Sequence, residues 1–187
     1  MSGILDLSRR MVDWVITAFL GALLLSSSAT KFQHPRQFQE ITREYPWGRL
    51  WARVALAVPV FEGLAALLLF SFQDPFCRIG KWATLGFLLA ATAGLAARRI
   101  RGERRFRCGC GPDPSHVQSA SVLLVRNAAL TAITAAALIS SPTRLETRAP
   151  ALQFYAVLAG CGLVLAARLV AAAWTARGAI EEWKASG

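Results

Sequence analysis

Two thiols one residue apart, Cys108-Gly109-Cys110, are the residues of this chain best suited to chemistry. Such a pair can close a small, strained disulfide, and strained disulfides are labile and oxidising. Arg104, Arg105 and Arg107 stand beside them, and cations favour the thiolate, the reactive form. Gly109, Gly111 and Pro112 turn the chain tightly there. His116 is near enough in sequence to accept a proton or ligate a metal. Two Cys and one His do not complete a zinc site, however, and no second Cys pair is present, so no metal is expected. Cys77 lies far away in sequence, and Cys161 falls inside an apolar stretch where a Cys usually serves as a small buried apolar residue.

A second group of candidates consists of charges inside apolar stretches. Glu62 follows Pro59 by three residues, Arg126 precedes Asn127, and Lys31 closes the first apolar stretch. Ionisable groups at such depth are costly and turn away from lipid. Glu62 and Arg126 lie roughly 18 and 14 Å from the same end of their helices at the helical rise. An ion pair between them is therefore expected, with Lys31 close by. It could serve only to fix helix register, or it could move protons or anchor a substrate. A single cavity between the first, second and fourth spans would gather Lys31, Glu62, Arg126 and the Cys-Gly-Cys loop.

The elements that must position these residues are membrane helices. Of 187 residues, 55% are hydrophobic, and they cluster in five stretches at 11–30, 50–72, 79–97, 117–140 and 151–174. A helix of roughly 20 apolar residues crosses a hydrocarbon core. The expected fold is all-α, a polytopic transmembrane bundle with four helices in residues 1–140 and a fifth helix with a short tail in 141–187. The first stretch follows Arg9-Arg10 and precedes Ser27-Ser28-Ala29, as a signal peptide would, but its length and Asp13 favour a retained helix. Pro59 should kink the second span. The rows Gly86, Ala90, Gly94 and Ala156, Gly160 suit close helix packing.

The net charge of +10 sits mainly between the spans, where it meets anionic lipid, and no nucleic-acid motif accompanies it. Alternating spans define two sides. Side one holds the N-terminus and segments 71–80 and 141–150. Side two holds segments 31–49 and 98–116 and the C-terminal tail, and carries most of the Arg and Lys. The positive-inside rule makes side two cytoplasmic, although Arg9 and Arg10 argue weakly the other way. Trp47, Trp51, Trp82 and Trp174 lie near span ends, as an interfacial belt requires, and a quinone could stack on such residues.

The order Lys31-Phe32, Pro35, Phe38, Ile41, Tyr45, then Pro59-x-x-Glu62-Gly63, then Cys108-Gly109-Cys110-Gly111 and Arg126-Asn127 resembles the DoxX-like membrane proteins, and among them the methylamine utilisation MauE family. The likeness covers roughly the first 140 residues. One departure is that Gly111 follows Cys110 directly, where the family pattern has an intervening Phe. The resemblance implies a multi-pass protein of the plasma (inner) membrane working in thiol–disulfide chemistry outside the cytoplasm. It also implies a thioredoxin-like partner and a secreted dehydrogenase subunit whose disulfides are formed or maintained. Four-helix membrane oxidoreductases that pass thiol electrons to quinone offer a looser analogy. An extracytoplasmic loop and the Arg count disagree about side two.

The leading expectation is a thiol–disulfide redox protein in which Cys108 and Cys110 cycle. Arg107 would stabilise the thiolate, His116 would move protons, and Lys31, Glu62, Arg126 and Asn127 would shape the cavity beneath. One rival is a membrane scaffold or assembly factor without catalysis. Another is a small-anion transporter using Arg126 and Lys31, which at this length would call for a homo-oligomer.

Overall fold

The computed structural model describes residues 2–43, 55–103, 105–107, 117–140 and 150–185, with side-chain surroundings over 8–43, 55–103, 119–139, 151 and 153–170. The elements are α1 (Ser2–Gln33), α2 (Pro35–Arg43), α3 (Ala57–Phe70), α4 (Phe76–Ile100), β1 (Arg105–Arg107), β2 (Val117–Ser119), α5 (Ala120–Ser140) and α6 (Pro150–Ala185). Stretches of α1, α4, α5 and α6 are long and apolar enough to cross a bilayer, and α3 is a shorter apolar helix.

Burial is inverted relative to a protein in water. Asp13, Lys31, Glu62, Lys81 and Arg98 are buried, while Leu67, Trp82, Val125, Phe154 and Leu169 are more than half exposed. Charge inside and large apolar side chains outside are what lipid as solvent selects. The chain is thus an all-α, multi-pass membrane bundle. Trp82 faces outward near the start of α4, where an interfacial indole is expected. Trp47 and Trp51 lie outside the described residues.

The first helix is the hub. It packs against α3, α5 and α6, while α4 packs against α3 and α5. Leu20 and Leu24 of α1 meet Ala65, Ala66 and Leu69 of α3, Leu88 of α4 and Leu130 of α5 in the main apolar cluster. A second cluster joins Trp14 and Ala18 to Phe72 and to Ala156 of α6. At Gly160 a Cβ would stand 2.6 Å from the Phe19 nitrogen and 2.7 Å from Ala18, so only glycine permits α6 to lie so close to α1. The Ala156, Gly160 row is therefore a packing face. The row Gly86, Ala90 is not: a Cβ at Gly86 meets nothing within 4 Å, and Ala90 is exposed.

Three boundaries differ from the sequence expectation. Segment 31–49 is not simply a loop, because α2 restarts one residue after α1, with Pro35 in its first turn, where a missing N–H is harmless. Pro59 does not kink α3. It lies in the first turn of that helix, where the N–H groups have no intrahelical acceptor in any case. The apolar stretch at 117–140 does not begin as helix, because Val117–Ser119 pair with Arg105–Arg107 as an antiparallel ribbon. Val117 is β-branched, which favours extended backbone at the start of this stretch.

Candidate functional site

Lys31 sits in the last turn of α1 and Glu62 in the second turn of α3. Their side chains form an ion pair that is 2% and 1% exposed. The Lys31 ammonium also lies 5.1 Å from the centre of the Phe38 ring and 5.8 Å from that of Phe87. Three helices thus supply its surroundings: an acid from α3 and aromatic faces from α2 and α4. A carboxylate and two ring quadrupoles stand where water would otherwise surround the ammonium. Ser28, one turn earlier, donates 2.7 Å to the Pro59 carbonyl and pins α1 to the start of α3. Gly63 packs against that hydroxyl, and a Cβ there would stand 3.4 Å from it, an ordinary contact.

The expected ion pair of Glu62 was with Arg126; the ion pair seen on Glu62 is with Lys31. Arg126 and Asn127 both lie on α5, and the Arg126 guanidinium donates to the Asn127 side-chain oxygen at 3.4 Å. Asn127 is buried, and its carbonyl accepts from Thr131 at 2.8 Å. Phe38 and Phe87 pack around the Lys31 ammonium.

Cys108, Cys110 and His116 lie outside the described residues. Their mounting is described. Arg107, the last residue of β1, is paired with Val117, the first residue of β2, and its side chain is outside the described set. The residues between therefore leave from, and return to, two chain positions fixed side by side. β2 runs directly into α5, where the Ser119 hydroxyl accepts the Val122 N–H at 3.4 Å. At the other root, Arg98 is held by Glu103, with Nε–Oε2 at 2.8 Å and Nη2–Oε2 at 2.6 Å.

Sequence reasoning missed a second buried pair at side one. Lys81 of α4 contacts both carboxylate oxygens of Asp13 of α1, at 2.7 and 2.9 Å. In the sequence Asp13 argues only for a retained first helix, and Lys81 is one more cation among the charges between spans. The available signal was that opposite charges occur a few residues inside two spans at the same membrane side. Thr17 and Thr84, each buried, return their hydroxyls to backbone carbonyls one turn back, at Asp13 and Gly80. Cys77 is buried one turn before Lys81 on the same helix face. Cys161 is exposed, contrary to its reading as a buried residue, because α6 touches the bundle mainly along Ala156 and Gly160 and turns Cys161 outward.

Comparison with known proteins adds to this geometry. Methylamine utilisation protein MauE of Paracoccus denitrificans is 30% identical over 125 residues, covering 66% of each chain, so this chain matches just under two thirds of that relative's length. No solved structure matches. The family profile for methylamine utilisation protein MauE matches residues 9–140, a stretch that ends on the last residue of α5 and holds both buried ion pairs, the ribbon and the Cys-Gly-Cys segment. Since that profile takes in well over half of the sequence, the chain belongs to the MauE family of multi-pass membrane proteins.

Proposed function

We propose that this protein is a thiol–disulfide redox protein of the plasma membrane that serves methylamine utilisation, with Cys108 and Cys110 as its working pair. Its chemistry is exchange with a thioredoxin-like or secreted partner. A partner thiolate attacks the Cys108–Cys110 disulfide, a mixed disulfide forms, and the second partner thiol displaces it. The partner leaves oxidised, and Cys108 and Cys110 are left as thiols carrying the two electrons and two protons. Run in reverse, the same step reduces a partner disulfide. Arg107 favours the thiolate, and His116 takes up or delivers the proton.

The observation that carries the reading is the ribbon. Pairing of Arg107 with Val117 mounts the segment bearing both thiols directly on two packed membrane helices. A segment with no such task needs no paired stem, since a short polar loop could join α4 to α5. The Lys31–Glu62 pair and its aromatic surround lie at the same end of the bundle as the ribbon.

Replacing Cys108 or Cys110 by Ser tests this directly. Each single variant should abolish disulfide transfer to the partner while leaving thermal unfolding in detergent unchanged. Full activity in both variants would sink the reading. Labelling intact cells with an impermeant maleimide, before and after reduction, then decides the side. Labelling only after reduction means an external disulfide, and labelling only after permeabilisation puts the pair on the cytoplasmic face.

A further inference from the structure

The α4–ribbon junction contains more constraint than ending a helix requires. The helix stops in a left-handed turn: Gly102 has φ +89°, its N–H reaches the Arg99 carbonyl at 3.0 Å, and the Glu103 N–H reaches the Arg98 carbonyl at 3.3 Å. Those bonds already satisfy carbonyls at the end of the helix. Glu103 nevertheless turns its carboxylate back onto Arg98, whose side chain is only 4% exposed, and takes two contacts from it. Below this pair, Leu95 of α4 packs on Ala120 and Leu123 of α5. Ala120 follows β2 without an intervening residue, and β1 begins two residues after Glu103. The ribbon itself has only three residue pairs, and a two-stranded ribbon of that size does not hold its own orientation in water.

We propose that Arg98 and Glu103 are positioning residues: their ion pair fixes the direction in which the β1–β2 ribbon leaves the bundle. It thereby fixes the strand ends, Arg107 and Val117, between which the thiol-bearing segment is strung. The inference rests on the redox reading above for its functional consequence, and on the junction alone for its structural one. Charge-assisted bonds from a buried guanidinium are directional as well as strong, which suits aiming better than an apolar contact would.

The test uses the full-length protein in nanodiscs, with Glu103→Gln and Glu103→Asp. Two readouts are taken: amide hydrogen exchange in Arg105–Arg107, and the thiol–disulfide equilibrium of Cys108 and Cys110 against glutathione. Glu103→Gln should speed exchange in β1 by about tenfold and shift the glutathione equilibrium by a similar factor, without moving the unfolding temperature of the helices. Glu103→Asp, which keeps the charge, should recover part of both. Arg98→Lys, which keeps a buried cation but loses the two-nitrogen grip, should behave like Glu103→Gln if the latter folds poorly. Unchanged exchange in Glu103→Gln overturns the proposal. Faster exchange with an unmoved glutathione equilibrium overturns its redox consequence. If the wild-type protein forms no Cys108–Cys110 disulfide at any glutathione ratio, the redox reading fails instead, and the exchange result still decides whether the pair orients the ribbon.

Discussion

At side one, Asp13 of α1 takes both its contacts from Lys81 of α4; at side two, Lys31 of the same helix meets Glu62 of α3. The two sites are 18 residues apart on α1, or about 27 Å at the helical rise, and both are buried. Their neighbours differ. The side-one pair sits among threonines that satisfy their own helices, beside the Trp14, Ala18, Ala156 cluster that clamps α6. The side-two pair sits under aromatic rings, on the side of the ribbon. Between them Leu20, Leu24, Ala66 and Leu69 close the bundle with apolar side chains. An anion carrier built on Lys31 and Arg126 would have to open that layer. We propose that the first pair is a brace and the second a working floor for the redox chemistry.

The largest expected effects separate those roles. A single neutralisation at either end, Asp13→Leu or Glu62→Leu, should destabilise the bundle by about 3–5 kcal/mol, because it leaves a buried ammonium without its carboxylate contact. Replacing both partners by apolar residues should recover most of that loss. The double variant Asp13→Leu with Lys81→Met should then regain disulfide transfer together with its unfolding temperature. Its counterpart, Lys31→Met with Glu62→Leu, should regain stability and remain inactive. Activity in that second double variant would make both pairs braces and remove the distinction.

The next effect sharpens the side-one half. Gly160→Leu drives a side chain into the Ala18 and Phe19 backbone and should cost about 1–3 kcal/mol, while Gly86→Leu, which meets open space, should change the unfolding temperature little. The thiol–disulfide equilibrium of Cys108 and Cys110 should not respond to either. A redox shift in Gly160→Leu would show that the two ends are coupled through α1.

Much of this was legible beforehand because hydropathy is a long-range signal. Five apolar stretches fixed the helical class, and the motif order carrying Lys31, Glu62 and Cys108 fixed the family. What was not legible was decided by packing. That Glu62 pairs with Lys31 depends on which face α1 turns to α3, which depth along the span does not carry. The rows at Gly86 and Gly160 are both built of Gly and Ala at four-residue spacing, yet a Cβ at Gly160 meets α1 and one at Gly86 meets nothing within 4 Å. Pro59 was misread because the start of α3 is not marked by a capping side chain: Leu56 precedes it without one. The ribbon escaped because Val117–Ser119 continues an apolar run whose helical part begins only at Ala120.

The smallest effect tests whether the aromatic surround belongs to the working floor. Phe38 is on α2, a nine-residue helix that departs one residue after α1 ends, so its ring reaches Lys31 only if α2 folds back over the pair. Phe38→Leu keeps apolar volume but removes the ring quadrupole, worth about 1–2 kcal/mol for a desolvated ammonium. Stability should fall by that amount or less, since Glu62 still holds the charge. If α2 merely covers the pair, disulfide transfer should fall only in proportion to the folded fraction. If the ring keeps Lys31 oriented for function, transfer should fall further while the unfolding temperature barely moves, and Phe38→Tyr, which retains a π-face, should restore it. At side one the Lys81 ammonium is instead gripped by two carboxylate oxygens of Asp13, and the Thr17 and Thr84 hydroxyls bond their own helices.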